Sequence, residues 1–180
     1  MRFPRNRFDF AWIIRNGDIR CLCYAYLQKE HRMKLAYEMT YTHRTDERTS
    51  VRLLPYASAY QEQYKKLYNS CYHEMREALG IRPYDFIQDD SFFGHGMENV
   101  YILIENDELI GSVALKGNEI DDLLVDIKHQ GKGYGRQILL WALENINCDN
   151  IILHVAEWNA RAVRLYKSVG FEVTKTIEIK

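Results

Sequence analysis

The chain has 180 residues, 47% hydrophobic and 27% charged, with only three prolines and ten glycines, which is enough for one good core plus a small appendage and excludes a linker or disordered tail. A net charge of −1 leaves no bulk field to draw the protein to nucleic acid or membrane, although residues 1–50 hold ten basic side chains against six acidic ones. No stretch approaches the roughly 20 apolar residues of a membrane helix, and Asp9 and Arg15 interrupt any signal-peptide core, so a cytoplasmic location is expected.

Phe8, Phe10, Trp12 and Ile14 alternate as in a strand, and Asn16-Gly17-Asp18 supplies a turn. Ile19–Leu27 returns from it, and after a polar break Leu35, Tyr37, Met39 and Tyr41 alternate again. These runs predict a three-stranded antiparallel meander over residues 1–48, bounded by the polar stretch Thr42–Ser50. Val51–Leu54 is a short strand. Tyr60, Tyr64, Leu67, Tyr68, Cys71, Met75 and Leu79 recur at helical steps, and the helix stops near Gly80. Residues 81–97 hold one short helix at most and a Gly94-His95-Gly96 tip. Strands follow at Val100–Glu105, Leu109–Leu115 and about Glu119–Asp126. Beyond a loop comes a helix with the stripe Ile138, Leu139, Ala142, Leu143 and Ile146. A strand at Ile151–Ala156, a helix at Ala160–Ser168 and a strand at Phe171–Ile179 close the chain. The order argues for an α+β (mixed α/β) fold, a mixed sheet with helices on its faces.

Cys21, Cys23, Cys71 and Cys148 have neither disulfide nor zinc spacing, and the six histidines are scattered. Four free thiols and no metal are expected.

One loop carries chemistry. Gln130-Gly131-Lys132-Gly133-Tyr134-Gly135-Arg136 lies between a strand and a helix, so its free amides and the positive end of the helix dipole suit a phosphate or pyrophosphate, with Lys132 and Arg136 adding charge. The spacing is Gly-x-Gly-x-Gly. A dinucleotide fingerprint needs Gly-x-Gly-x-x-Gly and an acid about twenty residues on, and a Walker loop needs Gly-Lys-Ser/Thr. Neither is met.

Over about residues 51–180 the chain resembles the GCN5-related N-acetyltransferase (GNAT) superfamily. Gln130, Gly133 and Gly135 meet its Gln/Arg-x-x-Gly-x-Gly/Ala signature, and Ile120-Asp121-Asp122-Leu123-Leu124-Val125 meets the pattern of the preceding strand. Asn159, Ala162, Tyr166, Gly170 and Phe171 meet the second signature, Asn-x-x-Ala-x-x-x-Tyr-x-x-x-Gly-Phe. The resemblance implies a central twisted mixed sheet flanked by helices, acetyl-CoA as co-substrate, and direct attack by a primary amine of a small molecule or protein in a ternary complex. It assigns cofactor contacts to Leu123, Leu124, Val125, Gln130, Gly131, Lys132, Gly133, Tyr134, Gly135, Arg136, Asn159 and Ala162. Backbone groups of Leu123–Val125 would serve the acyl carbonyl and pantetheine arm, and Tyr166 would donate to the leaving thiolate. Asn159 also fits a helix cap. For the base the resemblance points to Glu119, with Asp121, on the same nominal strand face, or Asp122, on the other, or a water chain as alternatives. His95 and His154 read as structural, and Trp158 as packing.

Two departures are visible. The family often ends with two strands after Gly-Phe, one wall of the acceptor pocket, and here only Phe171–Lys180 remains. The N-terminal residues also lie outside the family pattern. They are expected either to complete that wall, beside the 51–180 domain or in a homodimer, or to form a separate domain with its own partner. The competing function is a CoA-binding module without turnover, whose basic N-terminal sheet binds an acidic partner.

Overall fold

The computed structural model describes residues 12–15, 18–21, 35–94 and 96–178. The chain divides into two units, Met1–Lys34 and Leu35–Lys180. In the first, β1 (Trp12–Arg15) and β2 (Asp18–Cys21) pair antiparallel, with Ile14 opposite Ile19 and Arg15 opposite Asp18. Residues 16 and 17, where the Asn-Gly signal predicts the turn, lie outside the described residues. The rest of the two alternating runs, the thiols of Cys21 and Cys23, and His95 lie outside the described residues.

The larger unit holds β3 (Leu35–Tyr41), β4 (Leu54–Pro55), α1 (Gln61–Leu79), β5 (Val100–Glu105), β6 (Glu108–Lys116), β7 (Glu119–Val125), α2 (Tyr134–Asn145), β8 (Ile152–Ala156), α3 (Ala160–Val169) and β9 (Phe171–Glu178). The strands form one seven-stranded mixed sheet in the order β4-β5-β6-β7-β8-β3-β9, in which only β7 and β8 run parallel. Asn106 and Asp107, both at positive φ, make the tight turn between β5 and β6. Helix α1 ends at Gly80, whose left-handed conformation lets its N–H reach the carbonyls of Arg76 and Glu77. Asn159 caps α3 by accepting from the Ala162 N–H at 3.2 Å.

Each face of the sheet has its own core. Helices α2 and α3 cover Met39, Ile120, Leu153, Val155 and Phe171 with Ile138, Leu139 and Val169. Tyr64 and Leu67 of α1 cover Ile102, Leu109 and Leu124 on the other side.

The third alternating run is not part of an N-terminal meander. β3 lies in the main sheet, antiparallel to both β8 and β9, with Met39 opposite Leu153 on one side and Val173 on the other. Met39 is fully buried there. The division therefore falls at Lys34/Leu35, and β3 is not the last strand of an extension spanning residues 1–48. The polar stretch after it is a strap along α2 rather than a linker. Arg44 bonds Asp149 at 2.9 Å, Thr49 Oγ1 donates to the Gln137 carbonyl at 2.9 Å, and Ser50 N and Oγ donate to the Gln137 side chain at 2.6 and 2.9 Å. β3 thus lies beside β9, the strand that follows Gly170-Phe171, and belongs to the same unit.

Candidate active site

β7 and β8 separate almost as soon as they meet. They pair only at Glu119–Ile152 and Ile120–Leu153. Beyond that point β7 carries a bulge against β6, between the pairs Ala114–Asp121 and Ser112–Leu124, with Asp122 at a left-handed φ of 45°. The two strands leave a cleft of about 300 Å³ between Leu123 and Val125 on one side and Asn159, Ala162 and Tyr166 of the α3 region on the other. Its far end is closed by Gln130, Gly131, Gly133, Gly135 and Arg136. Those ten expected residues therefore meet in one place. Leu124 faces the α1 core instead, and Glu119, Lys132 and Tyr134 do not line the cleft.

The loop is built by its own hydrogen bonds. The Asp126 side chain accepts from the Lys128 N–H at 2.8 Å and starts a short 3-10 turn. Gln130 Nε2 donates to the Val125 carbonyl at 3.1 Å, while its Oε1 accepts from Arg161 Nη1 at 2.8 Å. Gly131 (φ 81°) and Gly133 (φ 92°) adopt the left-handed conformation that turns the chain into α2. The amides of residues 131 to 135 have no acceptor among the described residues. An N-terminal row of free N–H groups of this kind is an anion site. Arg136 departs from expectation. Its guanidinium is held by Glu47, with Nε–Oε2 at 2.9 Å, and by Ser168 Oγ at 2.8 Å, so it fastens the strap to α2 and α3. The unforeseen cation is Arg161, two residues into the second signature, at a position the pattern leaves variable.

Tyr166 is 8% exposed, packs on Phe171 and lines the cleft. Burial, and secondarily the charge of Asp121, push its phenol up to about 12. Its hydroxyl has no hydrogen-bond partner among the described residues. Glu119 is fixed by His154, Nδ1 to Oε1 at 2.7 Å, and His154 Nε2 lies 3.5 Å from Glu38 on β3. His154 is therefore tied into a carboxylate cluster next to the point where the strands part. Trp158 is 43% exposed at the cleft end of β8 rather than packed.

Simple alternation puts Asp122 on the face away from Asp121. The bulge overturns that. Asp121 lies opposite Ala114 of the α1-side core, and Asp122 accepts hydrogen bonds from Tyr72 and Tyr68 of α1, so both acids are on the α1 side. Burial raises the Asp122 carboxyl above the usual range, against the pull of the Tyr72 hydrogen bond.

Among the described residues Cys71 and Cys148 are free, no cluster of His, Cys, Asp or Glu could hold a metal, and no helix is long and apolar enough to cross a membrane.

A family model described as "Acetyltransferase (GNAT) family" matches residues 59–171. The spermine/spermidine N(1)-acetyltransferase of Bacillus subtilis (strain 168) is 26% identical over 132 residues, covering 71% of this chain and 84% of that protein. The peptidyl-lysine N-acetyltransferase YjaB of Escherichia coli (strain K12) is 36% identical over 75 residues, 42% of this chain and 50% of that protein. Among solved structures, Arabidopsis thaliana Naa50 in complex with the bisubstrate analogue CoA-Ac-MVNAL matches with a TM-score of 0.52 and 26% identity, over 72% of this chain and 87% of that one. A GNAT-family acetyltransferase of Novosphingobium aromaticivorans shares the fold at 15% identity with a TM-score of 0.54 over 81% of this chain, which spans 62% of that one.

Proposed function

Because the chain belongs to the acetyltransferase (GNAT) family, we propose that it moves an acetyl group from acetyl-CoA to the primary amine of a small cationic molecule or a lysine side chain. The observation that carries this reading is the splay of β7 from β8, bordered by the free amides of residues 131 to 135 at one end and the unpartnered Tyr166 hydroxyl at the other. The amides and the start of α2 suit the pyrophosphate. The backbone of Leu123–Val125, released from β8, suits the pantetheine arm and supplies donors for the carbonyl oxygen as charge develops on it. Asn159 and Ala162 form the opposite wall. Tyr166 then protonates the departing sulfur. The names of the relatives from Bacillus subtilis and Escherichia coli support an amine acceptor, and the CoA-linked analogue on Naa50 supports the cofactor.

The test is thiol release from acetyl-CoA with a panel of spermidine, spermine, a lysine peptide and an α-amino peptide, followed by mass analysis of the product. One or more amines should return acetylated. Binding of acetyl-CoA with no release for any amine would replace this reading with the module that binds without turnover. A second expectation concerns the loop. Gly133→Val places a β-branched side chain at φ 92° and costs roughly 1–3 kcal/mol of strain in the loop geometry. Acetyl-CoA affinity by calorimetry should fall about tenfold.

A further inference from the structure

The chain carries a primary amine of its own at the bulge of β7. Lys116 is the last residue of β6 and shares the α1 side of the sheet with Ala114. Its Nζ lies 2.5 Å from Asp121 Oδ2, and the other oxygen of that carboxylate accepts from the Asp122 N–H at 2.9 Å, inside the bulge. The ammonium is therefore held beside Asp122, immediately before Leu123, where the cleft begins. Asp121 is also the charge that acts on the Tyr166 phenol, so one carboxylate connects Lys116 to the group assigned to the departing sulfur. The cleft itself is walled by the glycine loop, the start of α2 and α3, which leaves the α1 side of the splay, the side of Lys116, for a nucleophile. The pair is open to water, with the Lys116 side chain 55% exposed. Such a pair holds weakly, and a flexible four-carbon stem lets the amine leave Asp121 and turn along β7 toward Leu123. Among the described residues Lys65 is the other lysine with a bonded Nζ, and it is held on the Gln88 carbonyl beyond α1.

We propose that Lys116 is a modification site of this chain, acetylated by the chain itself from acetyl-CoA bound in the cleft, and that the modification strips the cation from Asp121. The inference rests on the amine-acetylating reading above. In the step, the Lys116 ammonium loses one proton to water, and the nitrogen lone pair forms the C–N bond at the thioester carbonyl. The C–S bond breaks with its electron pair on sulfur, the sulfur takes the Tyr166 proton, and the surplus proton on nitrogen restores Tyr166. Acetyl-lysine, CoA thiol and one proton are the products. The hydrogen bond to Asp121, with the charges of Asp121, Asp122 and Glu119 behind it, raises the Lys116 ammonium above the ordinary lysine value. Loss of that first proton is therefore the slow requirement, and self-acetylation is a slow event beside turnover of a free amine. Once acetylated, the side chain is neutral, and Asp121 is left without its ion-pair partner.

The test incubates the full wild-type chain with acetyl-CoA and no added amine, then maps acetyl groups by mass analysis of its peptides. Lys116 should be acetylated about tenfold faster than Lys128 or Lys132. The rate should saturate with acetyl-CoA, stay constant per chain when the protein is diluted, and fall about 10²-fold in Tyr166→Phe. Lys116→Arg keeps a cation for Asp121 and takes no acetyl group, so the fast incorporation should disappear. A rate linear in acetyl-CoA and indifferent to Tyr166→Phe would mean chemical acetylation in solution and overturn the inference. A per-chain rate that rises with protein concentration would overturn it too, because one copy would then be acetylating another. If an amine of the panel is acetylated while Lys116 stays unmodified, the inference falls and the function stands. If acetyl-CoA binds and neither Lys116 nor any amine is acetylated, the function itself falls and takes the inference with it.

Discussion

Gly170→Ala should lower stability by about 4 kcal/mol, the sum of steric strain and two weakened backbone hydrogen bonds. Gly170 closes α3 at φ 119° with its N–H shared between the carbonyls of Tyr166 and Lys167. Its own carbonyl accepts from the amides of Thr42 and His43, both at 3.1 Å, just beyond the end of β3. A Cβ there would stand 2.0 Å from the His43 carbonyl oxygen and 3.2 Å from the Tyr41 ring. The clash is with backbone, so no rotamer change relieves it, and the strap must lift from α3. Gly117 supplies the control. It too has a positive φ, 63°, but nothing lies within 4 Å of its Cβ position, so Gly117→Ala carries the conformational cost of about 1 kcal/mol alone. At about 3 °C per kcal/mol for a chain of this size, thermal melts should separate the two variants by about 9 °C. Equal melting temperatures would mean that the exit of β3 is not docked on Gly170. Because α3 carries Ala162 and Tyr166 and is capped by Asn159, lifting the strap should also loosen one wall of the cleft.

That contact shows what the sequence could not disclose. Leu35, Tyr37, Met39 and Tyr41 alternate, and alternation identifies a strand without naming its neighbours. β2 ends fourteen positions before β3 begins and β8 lies more than a hundred beyond it, yet β3 pairs with β8 and β9, and Met39 is fully buried between them. Local and global signals agree elsewhere. The Gln130–Arg136 turn, the β7 pattern and Asn159–Phe171 carry the resemblance to the family, and the resemblance implied the cleft walls residue by residue. Asp122 could not, because one extra residue in β7 reverses the parity that period two predicts. The parts played by Arg136 and Arg161 are hidden from the sequence for a related reason. Each is a cation near a glycine turn, and only the distant Glu47 and Ser168 decide that the first is already occupied.

Tyr166→Phe tests the chemistry with little effect on the fold. The phenol is buried against Phe171, and its hydroxyl gives nothing to the native hydrogen-bond network among the described residues, so phenylalanine preserves packing and leaves no orphaned partner. Melting temperature at neutral pH and acetyl-CoA affinity should therefore remain close to wild type. Turnover should not. A positioned acid commonly contributes 10²–10⁴-fold, and the lower figure suits a thiolate that leaves without full protonation, so kcat should fall about 10²-fold with KM little changed. Burial keeps the group in the donating form, since a phenol pushed up to about 12 stays protonated throughout the neutral range. The same shift predicts an alkaline signature. The folded state holds this proton more tightly than the unfolded chain, whose tyrosine ionises near 10. Its contribution to stability is complete below about pH 10 and is lost as pH rises through about 12. Tyr166→Phe should remove that part of the alkaline loss, leaving the share that Tyr64, Tyr68 and Tyr72 contribute in the same direction. A variant that melts like wild type at neutral pH and turns over at the wild-type rate would take Tyr166 out of the mechanism and leave sulfur to be protonated by water in the cleft.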